Sequence, residues 1–115
     1  MLRLRSTKDF ERVWREGQSH AHPLVILVAS RRPSLEPGQT PLTRCGFVAG
    51  KKVGSAVDRN RAKRLLREAV RARKSELAAG WDLVFVARAP LAEAVLSRAQ
   101  AAVDQLLKRA NVVNL

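Results

Sequence analysis

Residues 51–68 read KKVGSAVDRNRAKRLLRE, and this stretch carries the strongest structural signal in the chain. Ser55 and Asp58 have the form of a capping box, in which a hydroxyl and an acid three residues further on satisfy the first backbone N–H groups of a helix. We therefore predict a helix that begins at this pair and continues to about Ala79. Gly80, the next residue, is predicted to end it.

The predicted helix has two chemically different faces. At 100° per residue, its apolar side chains fall on one side and its basic side chains fall on the other. This pattern indicates that one face packs on a core and that the other faces solvent or a ligand. The apolar face holds Ala62, Leu65, Leu66, Ala69 and Val70, and the polar face holds Asn60, Lys63, Arg64, Arg67, Arg71 and Lys74.

Positive charge is concentrated in the same part of the chain. The 115 residues include 22 Lys and Arg against 10 Asp and Glu, which gives a net charge of +12 at pH 7. Residues 51–74 hold ten of these cations and two of the acids. A solvent-exposed helix face usually mixes signs, but here only Glu68 is placed to pair with Arg64. The excess charge predicts a polyanionic partner, for which nucleic acid is the default.

Two features of the basic segment favour RNA. The arginine guanidinium matches phosphate through two parallel hydrogen bonds, and Asn60 adds a group that can bind a base edge or a 2′-hydroxyl. Lys51 and Lys52 lie in a glycine-flanked turn before the helix, where backbone N–H groups can also receive phosphate. RNA is therefore the predicted class of ligand.

A first, short helix is predicted near the N-terminus. Ser6 and Asp9 again have the spacing of a capping box, and Gly17 is the expected end of the helix. Phe10 and Trp14 share one helical face with a valine between them. Their rings therefore have two open interpretations, as packing on the core of an amphipathic helix or as a surface on which bases stack.

The other segments predict a small sheet with helices packed mainly on one face, an α+β sandwich. Strands are predicted at residues 24–29, 43–49 and 82–88, with the second antiparallel to the first across a proline-rich loop. Residues 18–22 would add a fourth strand. A last helix is predicted over residues 91–110 from its helical spacing of apolar side chains.

Composition excludes several classes of protein. A single cysteine, Cys45, cannot form an internal disulfide and is expected to be a small buried side chain. His20 and His22 are expected to be surface histidines, because no cysteine or carboxylate accompanies them as a metal ligand. No paired carboxylates suggest a metal-dependent nuclease site in the protein itself.

The chain is expected to be a single domain over residues 1–115 that acts in the cytoplasm. Arginines interrupt its first turns, so no secretory signal is predicted. The longest apolar run, residues 24–29, is too short to span a bilayer. We expect neither a membrane partner nor an obligate protein partner.

The stretch at 51–68 resembles the signature of the bacterial ribonuclease P protein subunit, with the pattern K-K-x-G-x-A-V-x-R-N-R-x-K-R-x-x-R-E. The similarity extends over nearly the whole chain. It includes Asp9-Phe10 with Val13-Trp14 and Gly17, Arg44-x-Gly46, and Asp82 to Arg88. It implies an α-β-β-β-α-β-α order with a mostly antiparallel sheet, like the second domain of one small-subunit ribosomal protein. It also implies a left-handed crossover through the basic helix, against the usual right-handed rule.

The resemblance also implies a function. The protein would bind a catalytic RNA and assist it in cutting the 5′ leader from precursor tRNA, while magnesium ions held mainly on the RNA carry out the hydrolysis. No residue of the protein would be catalytic or bind metal. Phe10 and Trp14 would line a cleft for the single-stranded leader. The implied RNA contacts are Lys51, Lys52, Arg59, Asn60, Arg61, Lys63, Arg64, Arg67 and Arg71.

Two other functions are compatible with the charge alone. A ribosomal protein would share the basic composition and the α+β layout, but it would not be expected to contain the signature at residues 51–68. A DNA-binding regulator would need a recognition helix and usually a dimer interface, and the sequence has no signal for either. If the protein stimulates precursor tRNA cleavage by a ribonuclease P RNA, this would distinguish the ribonuclease P interpretation from the ribosomal one.

Overall fold

The computed structural model describes residues 2–33, 37–38 and 40–113. The strands and helices are β1 (Leu2–Arg3), α1 (Thr7–Glu16), β2 (Gln18–Ala21), β3 (Val25–Arg31), β4 (Arg44–Ala49), α2 (Ala56–Arg71), β5 (Trp81–Ala87) and α3 (Leu96–Arg109). Short 3₁₀ helices cover Lys51–Val53, Lys74–Glu76 and Ala89–Glu93. One sheet contains the five strands in the order β1-β4-β5-β3-β2, so the predicted α+β class is confirmed.

The predicted order of elements is confirmed from α1 onward. β2 confirms the possible strand at residues 18–22, and it pairs antiparallel with β3. β1 has no counterpart in the sequence prediction, because a two-residue strand has no periodicity to recognise. It pairs in parallel with the start of β4, where the Leu2 backbone N–H donates to the Thr43 carbonyl at 2.9 Å.

The expected pairing of the two strands across the proline-rich loop is wrong. β5 lies between β3 and β4, pairing antiparallel with β3 and in parallel with β4. Four consecutive residues of β5, from Asp82 to Phe85, have no exposed surface, which is typical of a strand covered on both faces. The parallel pair β4 and β5 is joined through α2, which confirms a crossover at the basic helix.

Helices cover both faces of the sheet, although unequally. The larger core lies under α2 and α3, and Leu66, Phe85 and Leu106 are completely buried there. The smaller core lies under α1, where Val13 and Val84 are completely buried. On that second face Ile26, Val48 and Val86 are only partly buried, so the sheet beside α1 remains accessible.

The predicted start of α2 is confirmed, but its predicted end is wrong. The Ser55 hydroxyl accepts from the Asp58 backbone N–H, and the Asp58 carboxylate accepts from the Ser55 backbone N–H. The helix ends at Arg71, eight residues before Ala79. Beyond it the chain turns to pair with the C-terminal segment, where the Ala78 N–H donates to the Val112 carbonyl at 2.8 Å. These tertiary bonds outweigh the helical pattern.

The ends of the other helices also depend on tertiary contacts. Ser6 precedes α1 as predicted, but its side chain makes no cap hydrogen bond, so the predicted capping box is wrong. The Asp9 carboxylate instead accepts from Arg44 of β4 at 3.0 Å. Gly17 ends α1 as predicted. Only glycine fits at this position, because a Cβ there would lie 2.6 Å from the Val13 carbonyl oxygen. The last predicted helix is divided into a 3₁₀ turn and α3.

Candidate RNA interface

The polar face of α2 is confirmed as a surface, and its apolar face is confirmed as core. Ala62, Leu66, Ala69 and Val70 are completely buried, and Leu65 is half-buried. Lys51 and Lys52 are exposed in the 3₁₀ turn before the helix, so they extend the same charged region. We call five of the predicted RNA contacts of the helix the basic face of α2: exposed Asn60, Arg64 and Arg71, with half-buried Lys63 and Arg67. The other two predicted contacts of the helix, Arg59 and Arg61, are not included in this face.

The chain does not neutralise this face with its own acids. Among the described residues, no carboxylate oxygen lies within 4.0 Å of a charged nitrogen of residues 51–72. Glu68, the one acid placed to pair with Arg64, makes no ion pair among the described residues. Arg73, just beyond the helix, is the first cation after this segment to pair, with Asp104 and Glu76. The face is open to an external anion.

Arg61 has a role in the fold that sequence reasoning missed. Its guanidinium donates to the Ala92 carbonyl at 2.6 Å and to the Ala94 carbonyl at 3.4 Å. These bonds connect α2 to the segment before α3. Arg59 is half-buried, and its Nε has no hydrogen-bond partner among the described residues. A local pattern cannot identify the bonds of Arg61, because its carbonyl acceptors are about thirty residues away in sequence.

The two aromatic residues of α1 differ in their surroundings. Phe10 is half-buried and lies over Gly46 of β4, where a Cβ would stand only 2.6 Å from the ring's Cζ. Trp14 is 48% exposed. Phe10 therefore packs against the smaller core, whereas Trp14 presents its ring to solvent, and base stacking on this face stays a prediction.

A buried ionic cluster holds α1 against the sheet. Asp82 of β5 has no exposed surface, and its carboxylate accepts from Arg44 at 2.8 and 2.7 Å and from Arg12 of α1. The hydrogen bond to Asp82 is the main cause that raises the pKa of Arg44 above its usual range. Arg32 lies 3.8 Å from the same carboxylate. The cluster fixes the helix that carries Phe10 and Trp14.

Phe10 and the basic face of α2 meet at one groove. A surface groove of about 420 Å³ is lined by Phe10 from α1 and by Arg67 from α2. The structure therefore brings one predicted aromatic contact next to one predicted cationic contact. Trp14 is not among the residues that line this groove. An aromatic ring beside unpaired guanidinium groups can hold a base and its phosphate together.

The remaining candidate residues have ordinary surroundings. Cys45 is buried as predicted, and burial raises the pKa of its thiol to about 12. The His22 Nδ1 accepts from the Leu24 backbone N–H at 3.1 Å. In the described part of the chain, no three His, Cys, Asp or Glu side chains are grouped as metal ligands would be. None of the described helices is long and apolar enough to cross a membrane.

Comparison with known sequences identifies close relatives of the whole chain. A family model described as Ribonuclease P matches residues 1–111. The Ribonuclease P protein component of Roseiflexus castenholzii is 43% identical over 112 residues, covering 96% of this chain and 87% of that protein. The corresponding protein of Herpetosiphon aurantiacus is 41% identical over 110 residues, covering 96% and 85%.

Solved structures show the same fold. The RNase P protein of Staphylococcus aureus matches with a TM-score of 0.82 and 28% identity over 99% of both chains. The RNase P protein of Thermotoga maritima matches with a TM-score of 0.78 and 29% identity, covering 95% of this chain and 97% of that one. The sequence signature, the fold and these matches agree. The chain belongs to the Ribonuclease P family of protein components.

Proposed function

We propose that this chain is the protein subunit of ribonuclease P, and that it binds both the catalytic RNA and the 5′ leader of precursor tRNA. Family membership supports its place in this endoribonuclease. The observation that carries the RNA-binding part is the basic face of α2, which no described carboxylate neutralises. A polyanion would supply the missing counter-charge.

The basic face acts electrostatically in this proposal. Each arginine or lysine that reaches a phosphate releases condensed counterions, so binding gains free energy from the solution as well as from the contact. Exposed Arg64 and Arg71 are free to reach phosphates of a folded RNA. Arg61 has a structural role in this proposal, because its guanidinium is already bonded to two backbone carbonyls.

The α1 face serves the single-stranded leader in this proposal. Leader sequences differ among precursor tRNAs, so a site that stacks bases suits them better than one that reads base edges. Exposed Trp14 and the partly open sheet beside it offer apolar surface, and Arg67 offers charge next to Phe10. The buried Asp82 cluster holds α1, and with it Phe10 and Trp14, against the sheet.

The chemical step is assigned to the RNA. Magnesium ions, held mainly by the catalytic RNA, would activate the water that cleaves the phosphodiester bond and leaves a 5′-phosphate on the tRNA. The described side chains form no cluster suited to bind such an ion on their own. In this proposal the protein positions the precursor and reduces repulsion between the two RNAs.

Reconstitution tests the proposal. The protein is mixed with a bacterial ribonuclease P RNA, and precursor tRNA cleavage is measured at low magnesium, where RNA alone is hindered by repulsion. We expect the protein to stimulate cleavage and to do so equally well when the exposed α3 cations Arg98 and Lys108 are replaced by alanine. No stimulation by the wild-type protein, with tight binding to ribosomal RNA instead, would favour the ribosomal alternative.

A further inference from the structure

The N-terminal strand β1 and the residues just after it lie outside the set of RNA contacts that the family signature implies. Its backbone is fixed at both ends, since the Leu2 and Leu4 N–H groups each donate to a β4 segment carbonyl at 2.9 Å. Leu4 is 3% exposed and belongs to the smaller core. Arg3 and Arg5 on either side of it are exposed. Their side chains therefore project from an anchored backbone.

These two arginines form one wall of an extended groove. The 420 Å³ groove at Phe10 also has Arg3, Arg5 and Phe47 in its lining. It adjoins a second cavity of about 200 Å³, because Arg3, Phe47 and Arg67 line both. The second cavity adds Arg71 from the last turn of α2. We call this joined space the β1 groove.

All the charged residues that line the β1 groove are positive. Four arginines line it, and none of the described carboxylates pairs with them. Phe47 lines both cavities, and its ring stacks on Phe85 at a centroid distance of 5.7 Å. The Arg67 guanidinium lies 5.8 Å from the Phe47 ring centroid. Arginines around a supported aromatic ring suit a phosphate with its attached base.

The geometry of the sheet leaves this groove open. β1 pairs only with the first two residues of β4, Arg44 and Cys45. Beyond them no described strand pairs with β4 on that side, and Phe47 of this part of β4 lines the groove. A longer β1 would fill the space that a ligand needs. The short strand therefore places arginines opposite α2 without closing the groove.

We propose that the β1 groove binds a segment of single-stranded RNA, with phosphates on Arg3, Arg5, Arg67 and Arg71 and a base against Phe47. This inference rests on the proposed function and deepens it, since it assigns β1 to the RNA-binding surface. The segment comes either from the leader of the precursor or from a single-stranded part of the catalytic RNA. Both present the same sugar-phosphate chain and unpaired bases.

A titration with a short, labelled single-stranded oligoribonucleotide tests the groove directly. Arg3→Ala with Arg5→Ala should weaken binding by about fivefold or more and lower the slope of log K against log[salt] by about 1.4, near 0.7 per lost phosphate contact. Phe47→Leu keeps an apolar side chain but removes the ring, and we expect about a fivefold loss or more. Thermal melting of each variant checks that it folds.

A matched variant controls for bulk charge. Arg98→Ala with Lys108→Ala removes two positive charges from exposed positions of α3 and should leave oligoribonucleotide binding unchanged. Equal losses in this control and in the Arg3/Arg5 variant would overturn the proposal. It would also be overturned if the Arg3/Arg5 variant bound with wild-type affinity and slope, or if the wild-type protein did not bind the oligoribonucleotide.

The reconstituted enzyme distinguishes the two sources of RNA. If the leader occupies the groove, the Arg3/Arg5 variant should lose affinity for precursor relative to mature tRNA. If the catalytic RNA occupies it, the variant should lose affinity for that RNA and keep its preference for precursor. A wild-type protein that stimulates cleavage, with a variant that matches it in every assay, would refute the groove and leave the proposed function intact.

Discussion

Asp82 is a buried carboxylate on which three parts of the chain converge. Arg44 of β4, Arg12 of α1 and Arg32 after β3 all direct guanidinium groups toward it. Replacing Asp82 by Asn keeps the size of the side chain but leaves those charges without their buried partner. Breaking a buried ion pair in this way costs about 3 kcal/mol or more. We expect that loss in the free energy of unfolding measured with urea.

A surface acid provides the control for this measurement. Glu93 is exposed and has no described ion pair, so Glu93→Gln should change the free energy of unfolding by less than about 0.5 kcal/mol. If both variants unfolded at the wild-type urea concentration, Asp82 would not be the anchor of α1 that its contacts indicate.

The buried thiol of Cys45 predicts that the stability of the protein depends on pH in the alkaline range. Burial raises the pKa of its thiol to about 12 from an ordinary value of 9.0, so the folded protein holds this proton where the unfolded chain releases it. The free energy of unfolding should therefore fall as pH rises from about 9 to 12, at up to about 1.4 kcal/mol per pH unit from this group. Cys45→Val should lose that part of the pH dependence. A native thiol that reacts rapidly with a thiol reagent at pH 8 would contradict it.

Residue by residue, exposure could be predicted from sequence but partners could not. The 100° periodicity separates buried Leu66 from exposed Arg64, because both signals lie within one helix. It does not identify Arg61 as a tether, whose carbonyl acceptors are on another element. The same limit applies to Asp82, whose arginines come from distant segments. The RNA contacts themselves stay predictions.

Within α2, the arginines should divide into two functional groups. Replacing both Arg64 and Arg67 with alanine should weaken binding to the catalytic RNA and flatten log K against log[salt] by about two effective contacts, near 0.7–0.9 each. Arg61→Ala should instead lower the melting temperature and leave that slope unchanged, because Arg61 is bonded within the fold. A reduced slope for Arg61→Ala would place its guanidinium on the RNA.

For α1, the test is discrimination between two tRNA substrates. Trp14 is 48% exposed, so Trp14→Ala should cost little stability. If its ring stacks on a leader base, the reconstituted enzyme should bind leader-bearing precursor about fivefold or more weakly, while mature tRNA binds as before. Trp14→Phe should recover part of the loss. Equal losses for both substrates would assign Trp14 to the structure of the helix rather than to the leader.

The elements that were mispredicted have a common cause. α2 ends at Arg71 rather than Ala79 because the following residues pair with the C-terminal segment. β4 lies beside β5 rather than β3 because β5, which follows α2 in the chain, occupies the position between them. Local periodicity contains no information on either event. The capping box at Ser55 was predictable because every atom of it lies within four residues.

Across the described residues, some arginines are paired with acids inside the fold, whereas the cations on the basic face of α2 are not. Two acids join distant elements: Asp82 connects α1 to the sheet, and Asp104 connects α3 to the segment just after α2. The Asp104 pKa is lowered mainly by its hydrogen bond to Arg73. Asp58 caps α2. The basic face of α2 keeps its charge, and the chain retains a net +12.

This distribution predicts that anions stabilise the isolated protein. Like charges on the basic face repel one another in the folded state, and a bound phosphate relieves that repulsion. At matched ionic strength, phosphate in place of chloride should raise the melting temperature by about 4 °C or more, since roughly 1 kcal/mol corresponds to several degrees in a domain of this size. The Arg64→Ala and Arg67→Ala double variant should show a smaller rise, whereas the Arg98 and Lys108 control should respond like wild type. Equal melting temperatures of the wild-type protein in the two salts would mean that this face binds no anion on its own, because general screening is the same in both solutions.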